Sequence, residues 1–402
     1  MQETWIGRQP IFDRALTTHA YELLFRSPYV ARPTDIAGEI ATAQVIVSAL
    51  ADIGLDRVVG SLPAFVNVTR DFVVGGQPLP LPPERVVLEF LETIEGDRDV
   101  LVGVERLRDE GFRIALDDVR DLRPALIPLM RRADIIKVDC LGLTPEEIAE
   151  IVRKLRPFPG RLLAEKVETA AEVQLCMELG FELFQGYFLE RPSVIKSQTL
   201  SPSRTQLLRL IAELQEPEVT FEQVEEIVRL DLALSLKLVS CANSATYGVE
   251  RRIENVRDAV ILLGLLQTRN LVTLILLSRI DGKPPELLQQ AMTRARMCEN
   301  LATRRSKPDP RAAFMVGMFS LLDALLDQPM QTILEGLPLS APTKDALSER
   351  RGELGGLLEA VVSCERGEWD VVEQHLGTEE PLRACFVDAI EWASEIRRNL
   401  SA

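Results

Sequence analysis

The sequence predicts an α/β barrel followed by an all-helical domain. In the first half, short runs of β-prone apolar residues recur every ~20–30 residues and alternate with amphipathic stretches, which is typical of a βα barrel. From residue 204 onward, apolar residues recur at three-and-four spacing, as on amphipathic helices. A segment with prolines and serines separates the two patterns. We therefore expect domains over residues 1–195 and 204–402, joined by a linker over residues 196–203.

Six apolar runs of the first half are predicted to be buried parallel strands, and each one ends in polar side chains. In chain order, AFVNV ends with Asn67, VVLEF with Glu89, IALDD with Asp117 and Asp118, IIKVD with Lys137 and Asp139, LLAEKVE with Glu165 and Glu168, and LFQGYFL with Gln185. The carboxyl ends of parallel strands meet at one rim of a barrel, where such folds carry their active sites. One acid after a strand is often only a helix cap. Six polar strand ends in series favour a functional site.

Amphipathic helices are expected throughout the second half. The stretches TQLLRLIAELQ, FEQVEEIVRL and LALSLKLVSCAN carry the helical spacing, and Thr220 is placed to cap the second of them. The polar residues Asp231, Lys237, Asn243 and Ser244 are expected to cap and cross-link helices rather than to form a site.

The side chains at the predicted rim, with Glu22 of YELLFR, have the chemistry of a hard-metal centre. Carboxylate and amide oxygens suit Mg²⁺, Mn²⁺ or Ca²⁺ rather than zinc or copper. Clustered carboxylates need cations to remain ionised, and two divalent ions about 3.5–4 Å apart would clamp the oxygens of a phosphodiester. Lys137 would steady the attacking hydroxide or a phosphate oxygen, and Arg26 would hold a second phosphate. This pattern predicts a metal-assisted phosphoesterase class.

Composition excludes several other classes. The formal charge of −15 argues against a broad nucleic-acid surface, and two histidines are too few for most zinc hydrolases or histidine-based triads. The longest apolar stretch is interrupted by Arg269 and Asn270, so we expect a core helix and no membrane span. Six scattered cysteines without a CxxC pair, and a start that does not read as a signal peptide, predict a cytoplasmic location.

The motifs of the first half resemble the EAL family of cyclic di-GMP phosphodiesterases. The matching segments are YELLFR, FVNVTRDF, LEFLET, LDDV, IIKVD, AEKVET and QGYFLERP, in the family's order over about 185 residues. The resemblance implies a modified (β/α)8 barrel that hydrolyses cyclic di-GMP to pGpG with Mg²⁺ or Mn²⁺; an inactive member need hold no metal. It implies metal ligands at Glu22, Asn67, Glu89, Asp117, Asp118 and Glu165. It also implies catalytic roles for Lys137, Glu165 and Asp117, and ligand binding by Arg26, Gln185 and Glu168.

The sequence departs from that family at three notable positions. Where active members carry Asp-Asp-Phe-Gly-x-Gly, this chain has Val119 and Arg120 after the paired aspartates. Lys166 replaces the glycine of Ala-Glu-Gly-Val-Glu. We hypothesise that Lys166 brings an ammonium to the carboxylate rim and partly replaces a divalent ion; the alternative is that it points to solvent.

The second half resembles the HDOD domain, an all-helical relative of HD hydrolases. The resemblance rests on LDLALSLKL followed by CANSA and is best over residues 204–326. HD hydrolases need clustered histidines, which His375 alone does not supply. An EAL-like domain followed by HDOD resembles a two-domain bacterial signalling family whose members often have degenerate EAL domains.

Three functions are compatible with these features. The first is a cyclic di-GMP signalling protein with weak or absent hydrolysis, whose HDOD domain relays the signal or binds a protein partner; this function is favoured. The second is an active phosphodiesterase, and the third is a non-catalytic interaction scaffold. A homodimer is left open, because EAL barrels commonly pair through the loop that is altered here.

Overall fold

Eight β-strands close into a barrel in the order in which they occur along the chain. The structure is a computed structural model and describes residues 5–26, 54–76, 81–91, 93–190, 202–216, 218–243, 253–280, 283–305, 307–377 and 382–401. The strands are β1 (Trp5–Asp13), β2 (Thr18–Arg26), β3 (Ala64–Val68), β4 (Val86–Phe90), β5 (Arg113–Leu116), β6 (Ile135–Asp139), β7 (Arg161–Glu165) and β8 (Leu183–Gln185). All six predicted strands are present, and the predicted barrel is confirmed.

The first strand distinguishes this barrel from an all-parallel one. β1 is antiparallel to both of its neighbours, β2 and β8, whereas β2 to β8 are parallel to one another. A tight turn joins β1 to β2, in which the Asp13 side chain accepts hydrogen bonds from the amides of Ala15 and Thr17, each at 2.9 Å. The fold is therefore the modified (β/α)8 barrel that the sequence resemblance implied.

Each strand contributes one apolar side chain to a common layer inside the barrel. These residues are Ile11, Ala20, Phe65, Val87, Ala115, Ile135, Leu163 and Leu183. All are at most 3% exposed, so the interior is a packed core rather than a channel. The next inward-facing position on each strand lies two residues along, because side chains of a strand alternate between its two faces.

Short helices follow the strands around the barrel. They are Leu55–Val59, Arg70–Gly75, Arg98–Asp109, Ile127–Met130, Pro145–Leu155 and Ala170–Leu179, with 3-10 turns at Pro83–Arg85 and Tyr187–Leu189. Thr144 and Thr169 begin the last two helices with complete capping boxes, in which Glu147 and Glu172 return the hydrogen bond. These caps fix where the chain leaves the rim after β6 and β7.

The described part of the chain from residue 202 onward is helical and contains no strand, as predicted. Its helices are Pro202–Gln215, Phe221–Arg229, Leu232–Ala242, Val256–Leu277, Pro285–Arg305, Pro310–Phe319, Leu322–Leu326, Met330–Glu335, Ala341–Glu349, Gly352–Arg366, Trp369–Leu376 and Leu382–Ser401. The chain divides into two compact units: Met1–Leu189 with two short later segments, and the remainder. The predicted domain limits at 195 and 204 stay a prediction, because 196–201 of the proposed linker lie outside the described residues.

One described helix, Val256–Leu277, is long and apolar enough to meet the length and composition of a membrane span. Its backbone is broken at Gly264, whose φ of 75° and ψ of 165° are not helical. Neither part alone reaches the ~20 residues that a bilayer requires. After the break, Leu271, Leu274 and Ile275 are at most 1% exposed. This arrangement agrees with the predicted core helix.

The polar residues singled out in the second half act as helix caps and links, as expected. Asp231 caps the helix Leu232–Ala242 by accepting from the Leu234 amide at 3.0 Å, and it forms an ion pair with Arg279. Lys237 donates to the Leu400 carbonyl. Asn243 exchanges two 2.8 Å hydrogen bonds with the Ile253 backbone. Ser244 lies outside the described residues.

Replacing Asp231 separates its two structural roles. Asp231→Ala removes both the cap and the ion pair, and we expect a loss of about 1–2 kcal/mol in the free energy of unfolding. Asp231→Asn keeps a side-chain cap acceptor and loses only the partly exposed ion pair, so it should cost about 0.5 kcal/mol. Urea denaturation of both variants tests this difference, and equal losses would contradict the capping role.

Candidate metal-binding site at the barrel mouth

The predicted site residues occupy the layer directly above the apolar layer of the barrel. Each lies two positions beyond its strand's core residue, so Phe65 leads to Asn67 and Ile135 leads to Lys137. The full set, on the parallel strands or directly after one of them, is Glu22, Asn67, Glu89, Asp117, Lys137, Glu165 and Gln185. Strand alternation therefore brings residues from positions 22 to 185 to one mouth.

Lys137 lies at the centre of this layer. Its ammonium nitrogen Nζ is 2.7 Å from Glu165 Oε1, 3.2 Å from Asp117 Oδ1 and 3.3 Å from Glu22 Oε2. It also forms an ion pair with Glu89, whose side chain is fully buried. Candidate ligand oxygens of Glu22, Glu89 and Glu165 lie within 4.8 Å of one another. Four carboxylates thus surround one positive charge.

Two amide side chains and a residue missed at the sequence level complete this cluster. Asn67 Nδ2 lies 3.5 Å from Glu22 Oε1. Gln185 Nε2 donates to Glu22 Oε2 and to Gln9 Oε1, both at 2.7 Å. Gln9 belongs to β1, which runs in the opposite direction, so its place in the layer lies two residues before the core residue Ile11. Only the antiparallel register, in which Gln9 pairs with Glu22, reveals it.

Burial and mutual repulsion shift the pKa values of several of these acids. Burial raises the pKa of Glu165 to about 8, although Lys137 opposes the shift. Burial, and then the charge of Glu22, hold the pKa of Glu89 well above its ordinary value. Burial also works against the ionised form of Asp117, but attraction to Lys137 and hydrogen bonds with Glu89, Lys137 and Glu165 together outweigh it and lower this pKa. Burial would lower the pKa of Lys137, yet the surrounding carboxylates raise it. One ammonium is too little positive charge for four acids.

The donor set of this cluster fits a hard divalent cation. Within the described residues, the buried oxygens Asn67 Oδ1, Glu89 Oε2 and Gln185 Oε1 have no hydrogen-bond donor. Spare carboxylate and amide oxygens are what Mg²⁺, Mn²⁺ and Ca²⁺ require, and zinc or copper would favour nitrogen or sulfur. Glu22, Glu89 and Glu165 would hold such an ion. Among the described residues, no comparable group of His, Cys, Asp and Glu lies in the helical half.

The paired aspartate Asp118 lies in a different environment from Asp117. Its backbone is left-handed, with φ of 49°, and Arg120 Nε lies 3.6 Å from its Oδ1. Arg120 Nη2 also lies 2.7 Å from Oδ2 of Asp139, the last residue of β6. The neighbouring Val119 is buried, and its amide donates to the Lys137 carbonyl at 2.9 Å. The altered loop is thereby tied to β6 by both backbone and side chain.

Lys166 contacts the rim, but not at the predicted ligands. Its Nζ lies 2.6 Å from Asp139 Oδ2, and the side chain remains 53% exposed. The ammonium among the ligand carboxylates belongs to Lys137 instead. Hydrogen bonds from Lys166, the Leu141 amide and Arg120 outweigh the burial of Asp139 and lower its pKa. Asp139 ends a predicted strand, but nothing in its position alone indicated two cationic partners.

The binding roles predicted for Arg26 and Glu168 are not tested by the contacts of the cluster. Arg26 is the last residue of β2, and its side chain lies outside the described residues. Glu168 is three residues beyond β7, is partly exposed, and donates its amide to Glu172 at 2.7 Å. Their binding roles stay predictions.

Comparisons with known proteins give the family of this chain. The EAL domain model matches residues 77–192, and the HDOD domain model matches residues 200–336. The cyclic di-GMP phosphodiesterase CdgJ of Vibrio cholerae is 36% identical over 408 residues, which cover 99% of this chain and 94% of that protein. The chain belongs to the EAL–HDOD family. YuxH of Bacillus subtilis is 30% identical, covering 98% of each chain.

Two solved structures are also similar to part of this EAL–HDOD chain. The complex of Klebsiella pneumoniae BlrP1 with calcium and cyclic di-GMP matches 48% of this chain and 56% of its own, with 22% identity and a TM-score of 0.39. The PaMucR phosphodiesterase complex with cyclic di-GMP matches 48% of this chain and 97% of its own, with 23% identity and a TM-score of 0.39.

The raised pKa of Glu165 makes the folding stability of the EAL domain depend on pH. In the unfolded chain this carboxyl ionises near 4.5, but in the folded protein it ionises near 8. The folded state therefore loses stability as pH rises through that interval. Glu165→Gln lacks this loss, so its stability relative to the native chain should rise with pH by up to about 1.4 kcal/mol per unit.

Urea denaturation in chelating buffer at pH 5 and pH 8 measures this effect. Glu150→Gln is the matched control, because Arg153 lowers the pKa of that exposed carboxylate and it stays ionised throughout. If the difference in the free energy of unfolding between Glu165→Gln and the native chain is the same at both pH values, the raised pKa of Glu165 is contradicted.

Substitutions of Lys166 measure how much stability a left-handed backbone costs in the EAL domain. Its φ is 52°, a conformation in which glycine is favoured over other residues. Lys166→Ala and Lys166→Gly both remove the Asp139 ion pair, but only glycine relieves the backbone. We expect the glycine variant to be more stable than the alanine variant by about 1 kcal/mol in urea denaturation. The reverse order would show that the backbone is not strained there.

Proposed function

We propose that this protein is a cyclic di-GMP signalling protein whose EAL domain binds the nucleotide with a divalent cation and hydrolyses it weakly or not at all. The observation that carries the proposal is the convergence of Glu22, Glu89, Asp117 and Glu165 around Lys137 at one barrel mouth. The 36% sequence identity to the cyclic di-GMP phosphodiesterase CdgJ over almost the whole chain supports the substrate class.

The chemistry of the site follows from its charges. A divalent cation, Mg²⁺ or Mn²⁺, would supply a Lewis acid for a phosphodiester oxygen and lower the pKa of a bound water. Glu22, Glu89 and Glu165 would hold the ion, and Gln185 orients Glu22 through its 2.7 Å hydrogen bond. Lys137 presents its ammonium to the same space, where it stabilises negative charge on the attacking or phosphate oxygen. Asp117 keeps that ammonium in position.

Weak hydrolysis is supported by the altered surroundings of this cluster. Arg120 and Lys166 both contact Asp139, and the backbone at Asp118 and Lys166 is left-handed. Displacement of a reacting group by about 1 Å costs on the order of a hundredfold in rate. Robust phosphodiesterase activity is the second candidate, because the carboxylates around Lys137, here called the inner cluster, are all in place: Glu22, Glu89, Asp117 and Glu165.

The HDOD half is proposed to relay nucleotide binding or to bind a protein partner. Several of its large apolar side chains are exposed, among them Leu230 at 83%, Leu232 at 75% and Leu236 at 63%. Apolar side chains of this kind are common where proteins associate. The proposal includes a cytoplasmic location and no binding to nucleic acid or membranes. It is compatible with either a monomer or a homodimer.

Incubation with cyclic di-GMP separates the candidate functions. We expect binding by the native chain in Ca²⁺, measured by calorimetry, and only slow formation of pGpG in Mn²⁺, measured by chromatography. Fast turnover would select the active phosphodiesterase. Absence of both binding and turnover would select the interaction scaffold and overturn the proposal.

Glu22→Ala tests the ligand assignment within the same experiment. This change removes one carboxylate from the inner cluster, so we expect any pGpG formation to fall by at least about a hundredfold. Glu150→Ala, an exposed carboxylate on the outer helix Pro145–Leu155, is the control and should retain the native rate. A Glu22→Ala variant with the native rate would refute the assignment.

A further inference from the structure

Beside the lysine-centred cluster, the barrel mouth carries a second group of charges. This outer group consists of Asp118, Arg120, Asp139 and Lys166. Its contacts are Arg120 to Asp139 at 2.7 Å, Lys166 to Asp139 at 2.6 Å and Arg120 to Asp118 at 3.6 Å. Three separate segments meet here: the loop after β5, the end of β6 and the residue after β7. The two cations are the residues that replace glycines of the EAL motifs.

The outer group is balanced in charge, whereas the inner cluster is not. Two carboxylates and two cations leave the outer group with no net formal charge. Four carboxylates around Lys137 leave the inner cluster negative. A divalent cation is therefore attracted to the inner cluster, while the outer group offers no charge to neutralise.

The oxygens of Asp139 are also occupied, whereas Oδ1 of Asp118 has no hydrogen-bond donor and lies 3.6 Å from Arg120 Nε. Asp139 Oδ2 accepts from both Arg120 and Lys166, and its Oδ1 accepts from the Leu141 amide at 2.8 Å. The Asp139 side chain is only 4% exposed, so these contacts form in a place that is shielded from water. A hard cation beside Asp118 would need several oxygen ligands and would lie against two fixed positive groups.

We propose that Arg120 and Lys166 take the place of a second divalent cation, so that this chain holds one ion, at Glu22, Glu89 and Glu165. This inference deepens the proposed function and rests on its metal-dependent site. A single ion can polarise one phosphodiester oxygen, but it lacks the second positive centre that clamps the leaving oxygen in two-metal sites. The outer group supplies fixed charge for holding the rim together rather than a second metal-bound water.

Titration with Mn²⁺ alone, followed by electron paramagnetic resonance of the free ion, counts the bound ions. We expect one Mn²⁺ per native chain and two per chain of the Arg120→Gly/Lys166→Gly double variant, in which Asp118 and Asp139 regain their unbalanced charges. The control Arg153→Ala/Lys154→Ala removes the same two charges from an exposed helix, where both pair with Glu150, and should bind one. Circular dichroism checks that all variants fold.

The single variant Lys166→Gly provides a second test. It should fold normally, because glycine readily adopts the φ of 52° at this position. It should bind a second Mn²⁺ more weakly than the double variant. Two ions on the native chain, or the same number on the native chain and on both glycine variants, would overturn the inference. No nucleotide is present in this titration, so its failure is distinguishable from a failure of cyclic di-GMP binding.

Discussion

The attraction between one buried ammonium and four carboxylates organises the mouth of the barrel. Lys137 is 1% exposed and contacts Glu22, Glu89 and Glu165 of three other strands and Asp117, which directly follows β5. Bringing these acids together without the lysine would leave buried negative charges without compensation, which is strongly unfavourable. The cluster is stable enough to form, but it remains short of positive charge. Burial, and then repulsion from the neighbouring acids, raises the pKa of Glu165. A divalent cation would relieve that repulsion.

The barrel supports this charge cluster through its layered interior. Directly beneath the polar layer lies a layer of one apolar side chain from every strand, and it is almost completely shielded from solvent. The floor of the site is therefore dry, and the ionisable groups face it from one side only. Low local polarity strengthens both the attraction to Lys137 and the repulsion between the acids. The position of a carboxyl group in the layer, and not only its residue type, determines how strongly it interacts with Lys137 and with the other acids.

Much of this arrangement was predictable from the sequence, and the missing parts have physical reasons. Strand ends such as Glu89 and Lys137 could be placed because apolar runs and side-chain alternation are local properties of the chain. Gln9 was missed because its position depends on the antiparallel pairing of β1, a long-range property. The partner of Lys166 was not predictable either, since a left-handed backbone redirects its side chain toward Asp139. The domain limits stay a prediction, because 196–201 of the proposed linker lie outside the described residues.

The helical half illustrates the same division between local and long-range information. Capping by Asp231 follows from the short-range preference of aspartate for helix starts, and the structure has it. Its ion pair with Arg279 joins residues far apart in sequence and could not be read from either segment alone.

The antiparallel first strand has a consequence for how the barrel is made. β1 pairs with β8, so Ile11 reaches its partner Gln185 only after nearly the whole EAL domain has been synthesised. Until then the growing sheet has unpaired edges, which are prone to incorrect association. Closure between such distant segments is slow, because the entropy of a long loop must be overcome before the contact forms. The nascent chain is thus most vulnerable to aggregation just before β8 emerges from the ribosome.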